Sequence, residues 1–197
     1  MKKEIVFLMS SLGMGGAERV VVSLANWIVA NTDSNVTILK FINEKSAYPL
    51  NDKIRIIDMP KSNKNRFLKI VDRYNFCKKE FSNIEPDIII SFFNKTQLYA
   101  YLAKSKKTVL IGSERCNVLE LSNLKKNITY YAAKKCNGFI FQTEGIKKTF
   151  PIKVQKNSIV ISNAISNKKV YDIYVHNKEN VITAMGRLNS QKGFDTL

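Results

Sequence analysis

Cysteine is scarce in this sequence: three in 197 residues, Cys77, Cys116 and Cys136. The count is odd and no two form a C-x-x-C pair, which argues against a disulfide framework and a zinc knuckle, and no metal is expected. Four prolines and eight glycines exclude collagen-like and Gly/Pro-rich low-complexity chains. No apolar run reaches the roughly 18 residues that a membrane-spanning helix needs. The opening Met1-Lys2-Lys3, followed by Ile5 to Met9, mimics a signal peptide, but the run is too short and Glu4 interrupts its approach. It reads instead as a buried first strand. Together these features favour a reducing, cytoplasmic compartment.

Acidic residues are the other shortage. Asp+Glu number 16 against 32 Lys+Arg, a net charge of +16. A surplus of this size implies an anionic partner: nucleic acid, an anionic membrane or phosphorylated ligands. A solvated basic surface gives the same total, so the motifs must decide. Apolar side chain is plentiful at 45%, with 24% charged. That balance can offset the ordering entropy of a globular fold. The length suits one ordinary domain, or one domain plus the start of a second.

Short apolar runs alternate with amphipathic ones. Residues 4–9, 36–42, 54–58, 87–91, 108–113, 138–142 and 158–162 read as strands, with little polar alternation. Between them, Ala17, Val20, Val21, Leu24, Ala25 and Ile28 form the apolar stripe of a helix. Residues 64–83, 95–104, 118–136 and 143–150 read as further helices, the first stopped by Pro86. Non-alternating strands, each followed by a helix, predict an α/β fold, a Rossmann-like parallel sheet with helices on both faces. Residues 166–180 are polar and without period. They read as a boundary, giving a first domain over 1–175 and, over 176–197, a linker with the opening of a second domain.

Two segments carry phosphate chemistry. The first is the turn Gly13-Met14-Gly15-Gly16-Ala17-Glu18-Arg19 between the first strand and the first helix. Glycines there let backbone approach a ligand, and the helix N-terminus behind them favours an anion. It is not a dinucleotide fingerprint: Glu18 stands where the third glycine is needed, and Leu39-Lys40-Phe41 replaces the acidic residue. A plain tight turn fits it too. The second segment is Gly186-Arg187 to Lys192-Gly193-Phe194, with two cations suited to a diphosphate, or to solvent.

These segments, together with Pro86-Asp87 to Ser91, Gly112-Ser113-Glu114-Arg115, Phe141 to Glu144 and Val160 to Asn163, resemble in order and spacing the GT-B glycosyltransferases of the retaining family 4. The resemblance implies two Rossmann-like domains across a cleft, the first (the N-terminal domain) binding the acceptor and the second a nucleotide sugar. It implies that Gly15, Gly16, Arg187 and Lys192 hold the donor diphosphate. It implies a retaining, metal-free transfer of a hexosyl type, with the nucleotide sugar as co-substrate and no separate cofactor. Glu114 and Arg115 are the catalytic candidates. Arg115 stands where many members carry a histidine, and the only histidine here is His176 in the boundary stretch. A cation at that place also suits an acceptor phosphate, and Glu114 with Arg115 equally suits an ion pair at a strand end. The family's Glu-x7-Glu pair is not found: no Glu has another eight positions on. The chain is therefore expected to be a truncated one that is inactive alone.

Residues 53–79 hold nine Lys or Arg against two Asp. Phe67, Ile70, Val71, Tyr74 and Phe81 are expected as a core stripe, with Leu68 and Phe76 off it. The cations Lys64, Arg66, Lys69, Arg73, Lys78 and Lys79 suit an anionic membrane surface, or a solvated face. The expected function is transfer of a sugar from a nucleotide sugar to a glycan or lipid-linked acceptor in cell-surface polysaccharide assembly, by a peripheral enzyme at the inner face of the cell membrane. A non-catalytic acceptor-binding half or scaffold that needs a partner chain is the alternative. A nucleic-acid-binding module has only the charge in its favour, and no nucleic-acid partner is expected.

Overall fold

The first strand, β1 (Glu4–Met9), sends alternate side chains to two different cores. Ile5, Phe7 and Met9 pack on one side with Val21, Val22, Ala25 and Ile28 of α1 (Gly16–Asn31). Val6 and Leu8 pack on the other with Phe76, Cys77 and Phe81 of α2 (Arg66–Ile84) and Ala100 of α3 (Asn94–Ala103). A strand covered on both faces has no solvent side, which is why its sequence lacks alternation. Each fully buried Phe or Leu contributes about 1.5–3 kcal/mol.

The remaining strands are β2 (Asn35–Lys40), β3 (Arg55–Asp58), β4 (Ile88–Phe92), β5 (Val109–Ser113), β6 (Gly138–Phe141) and β7 (Ser158–Val160). All pair in parallel, in the order β3-β2-β1-β4-β5-β6-β7. The computed structural model describes residues 2–61, 65–115 and 118–163, and beyond them only 181, 184, 186, 193 and 194; the side chains of Arg66, Phe67 and Asn94 are not among those described. The chain divides into two units, Met1–Asn163 and Ala164–Leu197, and the first carries this sheet. Lys64, Cys116, His176, Arg187, Lys192 and the boundary expected near residue 175 lie outside the described residues.

Three expectations need correction. The stripe of α2 is turned: Ile70 and Val71 are exposed, as is Leu68, while Phe76 is buried. Only the second half of this helix reaches the apolar side of the sheet, so the inward face is set by Phe76, Cys77 and Phe81. The helix expected over 118–136 is broken into a 3-10 turn, Val118–Glu120, and α4 (Asn123–Lys134), because the chain closes on itself at Leu121 N–H to Val118 O and restarts at Ser122. Past α5 (Glu144–Lys148), Pro151 opens another short helix, α6 (Ile152–Lys156), not anticipated from sequence. Proline suits such a start because its missing N–H is one the helix leaves unpaired.

Burial pushes the thiols of Cys77 and Cys136 up to about 12, so both are protonated and inert at neutral pH. Cys136 also limits β5. A methyl group on Gly112 would stand 2.6 Å from Phe139 Cε2 and 2.8 Å from Cys136 Sγ. Gly112→Ala is therefore expected to destabilise the fold by about 1–3 kcal/mol through overpacking. Urea denaturation checks this: the midpoint falls with an unchanged slope.

Candidate functional site

The strand order reverses at β1, with β2 on one side and β4 on the other. By the topology of parallel sheets, connections leaving the carboxyl ends of β1 and β4 diverge at such a switch point and leave a crevice between them. In open parallel sheets that crevice is the place where ligands bind.

The glycine turn lines one side of the crevice. Its shape is fixed by hydrogen bonds: Gly15 N–H donates to Gly13 O at 3.1 Å, Ile42 N–H to Ser10 O at 3.0 Å and Ala47 N–H to Leu12 O at 3.0 Å. Tyr48 Oη donates to Gly15 O at 3.2 Å. The stretch after β2 thus braces the turn. Gly15 is the N-cap of α1, and no side chain caps the helix. The first N–H groups of α1 thus have no N-cap side chain, and among the described residues an incoming anion meets only the Glu18 carboxylate there. Gly16 is exposed, and no atom lies within 4 Å of where its Cβ would stand. The carboxylate of Glu18 folds back over Gly15, within 2.0 Å of where a Cβ would stand. It lies where the positive end of the helix dipole favours negative charge.

The other side is built from β4 and β5. Phe93, at the N-cap of α3, has φ 72° and ψ 148°, a left-handed conformation that costs a non-glycine residue roughly 1–3 kcal/mol. It is held by its N–H donating to Ser113 O at 3.1 Å. Gln97, fully buried, donates through Nε2 to the same carbonyl at 3.0 Å. Ser91 Oγ donates to Thr96 Oγ1 at 2.8 Å beside it. This buried polar layer fixes where β5 ends, and therefore where Glu114 and Arg115 stand.

Glu114 is buried, and its Oε1 accepts from the Arg115 N–H at 2.9 Å. The Arg115 guanidinium lies 5.2 Å above the Phe92 ring, and Nη1 donates to Asn163 Oδ1. Its Nε is buried with no hydrogen-bond partner among the described residues. Burial draws the Arg115 pKa below its ordinary value, which is so high that the group stays cationic at neutral pH. A half-buried cation stacked on an aromatic ring, with a donor to spare, is equipped to bind an anion.

The segment Phe141 to Glu144 is used locally: Thr143 Oγ1 caps α5 by accepting from Ile146 N–H at 3.2 Å. Beyond the crevice, Lys69 and Arg73 of α2 line a cavity of about 330 Å³ with Phe41, Met59 and Lys61. Arg73 lies 5.2 Å over Phe41. Lys78 and Lys79 are exposed further along α2. A cavity of about 580 Å³ between β3 and α2, lined by Asp58, Asp72, Lys79 and Glu80 among others, carries mixed charge and lies away from the β1/β4 crevice. Among the described residues there is no cluster of His, Cys, Asp and Glu able to hold a metal ion, and no helix long and apolar enough to cross a membrane.

Sequence reasoning singled out Gly15, Gly16, Glu114 and Arg115; the structure puts the two glycines at the turn between β1 and α1, and Glu114 and Arg115 just past the carboxyl end of β5. It missed Phe93, Gln97 and the contact of Arg115 with Asn163, 48 positions away. Gln97 gives a faint signal, a polar residue beside Thr96 on the inward face of a short helix. The Phe93 backbone gives none.

No family model matches the chain. Among curated proteins it is 26% identical to the GalNAc-alpha-(1->4)-GalNAc-alpha-(1->3)-diNAcBac-PP-undecaprenol alpha-1,4-N-acetyl-D-galactosaminyltransferase of Campylobacter jejuni, over 96% of this chain and 54% of the relative. It is 28% identical to an uncharacterized glycosyltransferase of Haemophilus influenzae, over 100% of this chain and 56% of that protein. The chain thus spans about half the length of the curated relatives it matches. Among solved structures, it overlays on the lipopolysaccharide outer core galactosyltransferase WaaB with a TM-score of 0.66 at 16% identity, covering 85% of this chain and 47% of that one. On the sucrose-phosphate synthase of Thermosynechococcus elongatus the TM-score is 0.65 at 10% identity, covering 82% and 48%. By these likenesses the chain carries the Rossmann-like domain of the GT-B glycosyltransferase fold, and its curated relatives are glycosyltransferases.

Proposed function

We propose that this chain forms the acceptor side of a retaining, family 4 type glycosyltransferase. The enzyme moves a hexosyl group from a nucleotide sugar to a glycan or lipid-linked acceptor in cell-surface polysaccharide assembly. The observation that carries the reading is the carboxyl edge of the sheet at the β1/β4 switch. There an uncapped helix N-terminus with an open Gly16 stands on one side and the half-buried Arg115 on the other. Both groups attract anions, and a transfer from a nucleotide sugar develops negative charge on its leaving diphosphate. A relative that acts on an undecaprenol diphosphate substrate supports a lipid-linked acceptor.

In this reading the turn at Gly15 and Gly16 brings the first N–H groups of α1, from Gly16 on, to the donor diphosphate, and Arg187 and Lys192 grip it from the second domain. Glu114 holds the Arg115 backbone, and Arg115 orients the acceptor. No metal is needed, since the cations neutralise the leaving group. The domain boundary falls near residue 175. The basic helix α2 rests on the anionic inner face of the cell membrane through Lys64, Arg66, Lys69, Arg73, Lys78 and Lys79. Its exposed Leu68, Ile70 and Val71 give that contact an apolar component that a solvated basic face would not have.

The test is transfer from a panel of radiolabelled nucleotide sugars to a polyprenyl diphosphate glycan. The expected result is transfer when the domain that binds the nucleotide sugar is joined to this chain, and none by the 197-residue chain alone. Turnover by the chain alone overturns the division of labour. No transfer from any donor to any glycan by the joined protein overturns the enzyme reading.

A further inference from the structure

Helix α4 keeps a row of apolar side chains in solvent. Leu124, Ile128 and Tyr131 are 72%, 37% and 52% exposed. They stand at i, i+4 and i+7, so they form one stripe. Leu119, on the 3-10 turn just before the helix, is exposed as well. The inward face of α4 is satisfied separately by Thr129, Ala132 and Ala133, which are buried. The stripe is therefore surplus to the core. Isolated exposed apolar residues are ordinary, but a row of them along one helix marks a contact surface.

Along α4 itself the charges are of one sign, and one acid, the exposed Glu120, sits beside Leu119 on the preceding turn. Lys125 and Lys134 are exposed, and Lys126 and Lys135 are partly so. Lys135 Nζ lies 5.1 Å over the Tyr131 ring and 5.2 Å over Tyr101. No acidic residue occurs between Asn123 and Lys134. The chain path adds a second observation. α4 follows β5 and α2 follows β3, so both helices begin at the carboxyl edge of the same parallel sheet. Both pack against α3, which puts them in one layer. The first turns of α2 also combine exposed apolar groups (Leu68, Ile70, Val71) with cations. Two helix tips of the same make-up thus flank α3 at the end of the sheet where the crevice opens.

We infer that the outer face of α4 is a lipid-contacting surface, with Leu124, Ile128 and Tyr131 in the headgroup region of an anionic bilayer and Lys125 and Lys134 on its phosphates. Together with α2 it makes a two-point contact that fixes the tilt of the domain and turns the crevice toward the lipid surface. This rests on the membrane reading proposed above and extends it to a second element. Apolar groups on a flat helical face, ringed by mobile lysines, match a fluid surface of uniform negative charge. Such a contact needs no concave pocket of the kind a specific polypeptide side chain fills.

The experiment uses the whole protein with Trp27 replaced by Phe and a reporter placed by Tyr131→Trp, on vesicles of phosphatidylcholine with and without phosphatidylglycerol. Trp27 is the sole tryptophan of these 197 residues and is itself exposed. The expected result is a blue-shifted emission, shielded from an aqueous quencher, only when anionic vesicles are present. The exposed pair Lys125→Glu with Lys134→Glu is expected to weaken co-sedimentation by roughly tenfold or more, and Leu124→Ser with Ile128→Ser to abolish the blue shift. A companion pair in α2, Lys69→Glu with Arg73→Glu, separates the two claims. If the protein binds vesicles, loses binding with the α2 pair, and the reporter at 131 never shifts, the α4 inference falls and the α2 contact stands. In that case the stripe belongs to an acidic polypeptide. A reporter already shielded without vesicles means the face is covered by protein and also overturns the inference. No vesicle binding at all overturns both.

Discussion

Replacing Asp58 by alanine is expected to lower the unfolding free energy by about 3 kcal/mol, whereas replacing its partner Lys40 by methionine costs about 1 kcal/mol. The two residues face each other in register at the carboxyl ends of β2 and β3. Lys40 Nζ lies 2.5 Å from Asp58 Oδ1 and donates to Glu44 O at 2.6 Å. The side chain of Lys40 is 4% exposed and that of Asp58 33%. Removing Asp58 therefore strands an ammonium inside the sheet with one carbonyl for company. Removing Lys40 leaves a carboxylate whose Oδ1 is buried, on a side chain that is otherwise a third exposed to water. The expected cost of Asp58→Ala sits at the low end for a broken buried pair because of that access.

A double mutant is expected to match Lys40→Met alone, since the carboxylate matters through the ammonium it neutralises. Urea denaturation of the three variants measures this. A loss from Asp58→Ala no larger than that from Lys40→Met would falsify the account. The pair also concerns the site. Lys40 holds the Glu44 carbonyl, and the stretch after β2 braces the glycine turn through Ile42, Ala47 and Tyr48. Asp58→Ala is thus expected to loosen the turn as well as the sheet edge, seen as faster amide exchange at Gly15 and Ala47.

The same pair shows how far the sequence could be read. Lys40 stands where a dinucleotide-binding sheet would carry an acid, and that departure argues against such a site. That the charge is buried and answered from β3 depends on strand register, which a linear pattern does not encode. The strands themselves were legible because burial on both faces leaves its mark in uninterrupted apolar runs such as residues 88–90. The rotation of α2 was not. Its apolar residues occur almost all round the helix, so periodicity gave Ile70 and Val71 the inward side. The length of sheet beneath the helix gave that side to Phe76, Cys77 and Phe81. In the site, Gly15 and Gly16 were visible because glycine after a first strand has a backbone reason to be there. Arg115 was visible only through family resemblance, and Gln97 and Phe93 not at all. Their roles come from hydrogen bonds to one carbonyl, that of Ser113, which the strand order brings within reach.

Arg115→Ala is expected to lower kcat/KM of the complete enzyme roughly a hundredfold, the size of a lost charge-assisted hydrogen bond to an anion in a sheltered site. The guanidinium is held in place from two directions, by the Phe92 ring beneath it and by Asn163 on Nη1. Its buried Nε has no partner among the described residues. A bound phosphate oxygen is the group that would complete it. Arg115→Lys is expected to recover little, because an ammonium cannot stack on Phe92, bond Asn163 and meet a phosphate at once. Asn163→Ala is expected to fall between, since it leaves the cation but frees its orientation. The split between constants identifies the ligand. If Arg115 grips an acceptor phosphate, the loss appears in the acceptor KM and disappears with an acceptor that lacks the phosphate, while the nucleotide-sugar KM is unmoved. If it only supports the ends of β4 and β5, both constants worsen together. Thermal stability then drops by more than the roughly 1 kcal/mol that a half-exposed cation–ring contact contributes. Equal activity of Arg115→Ala and the unaltered enzyme would remove Arg115 from the site altogether and leave anion binding on this domain to the start of α1.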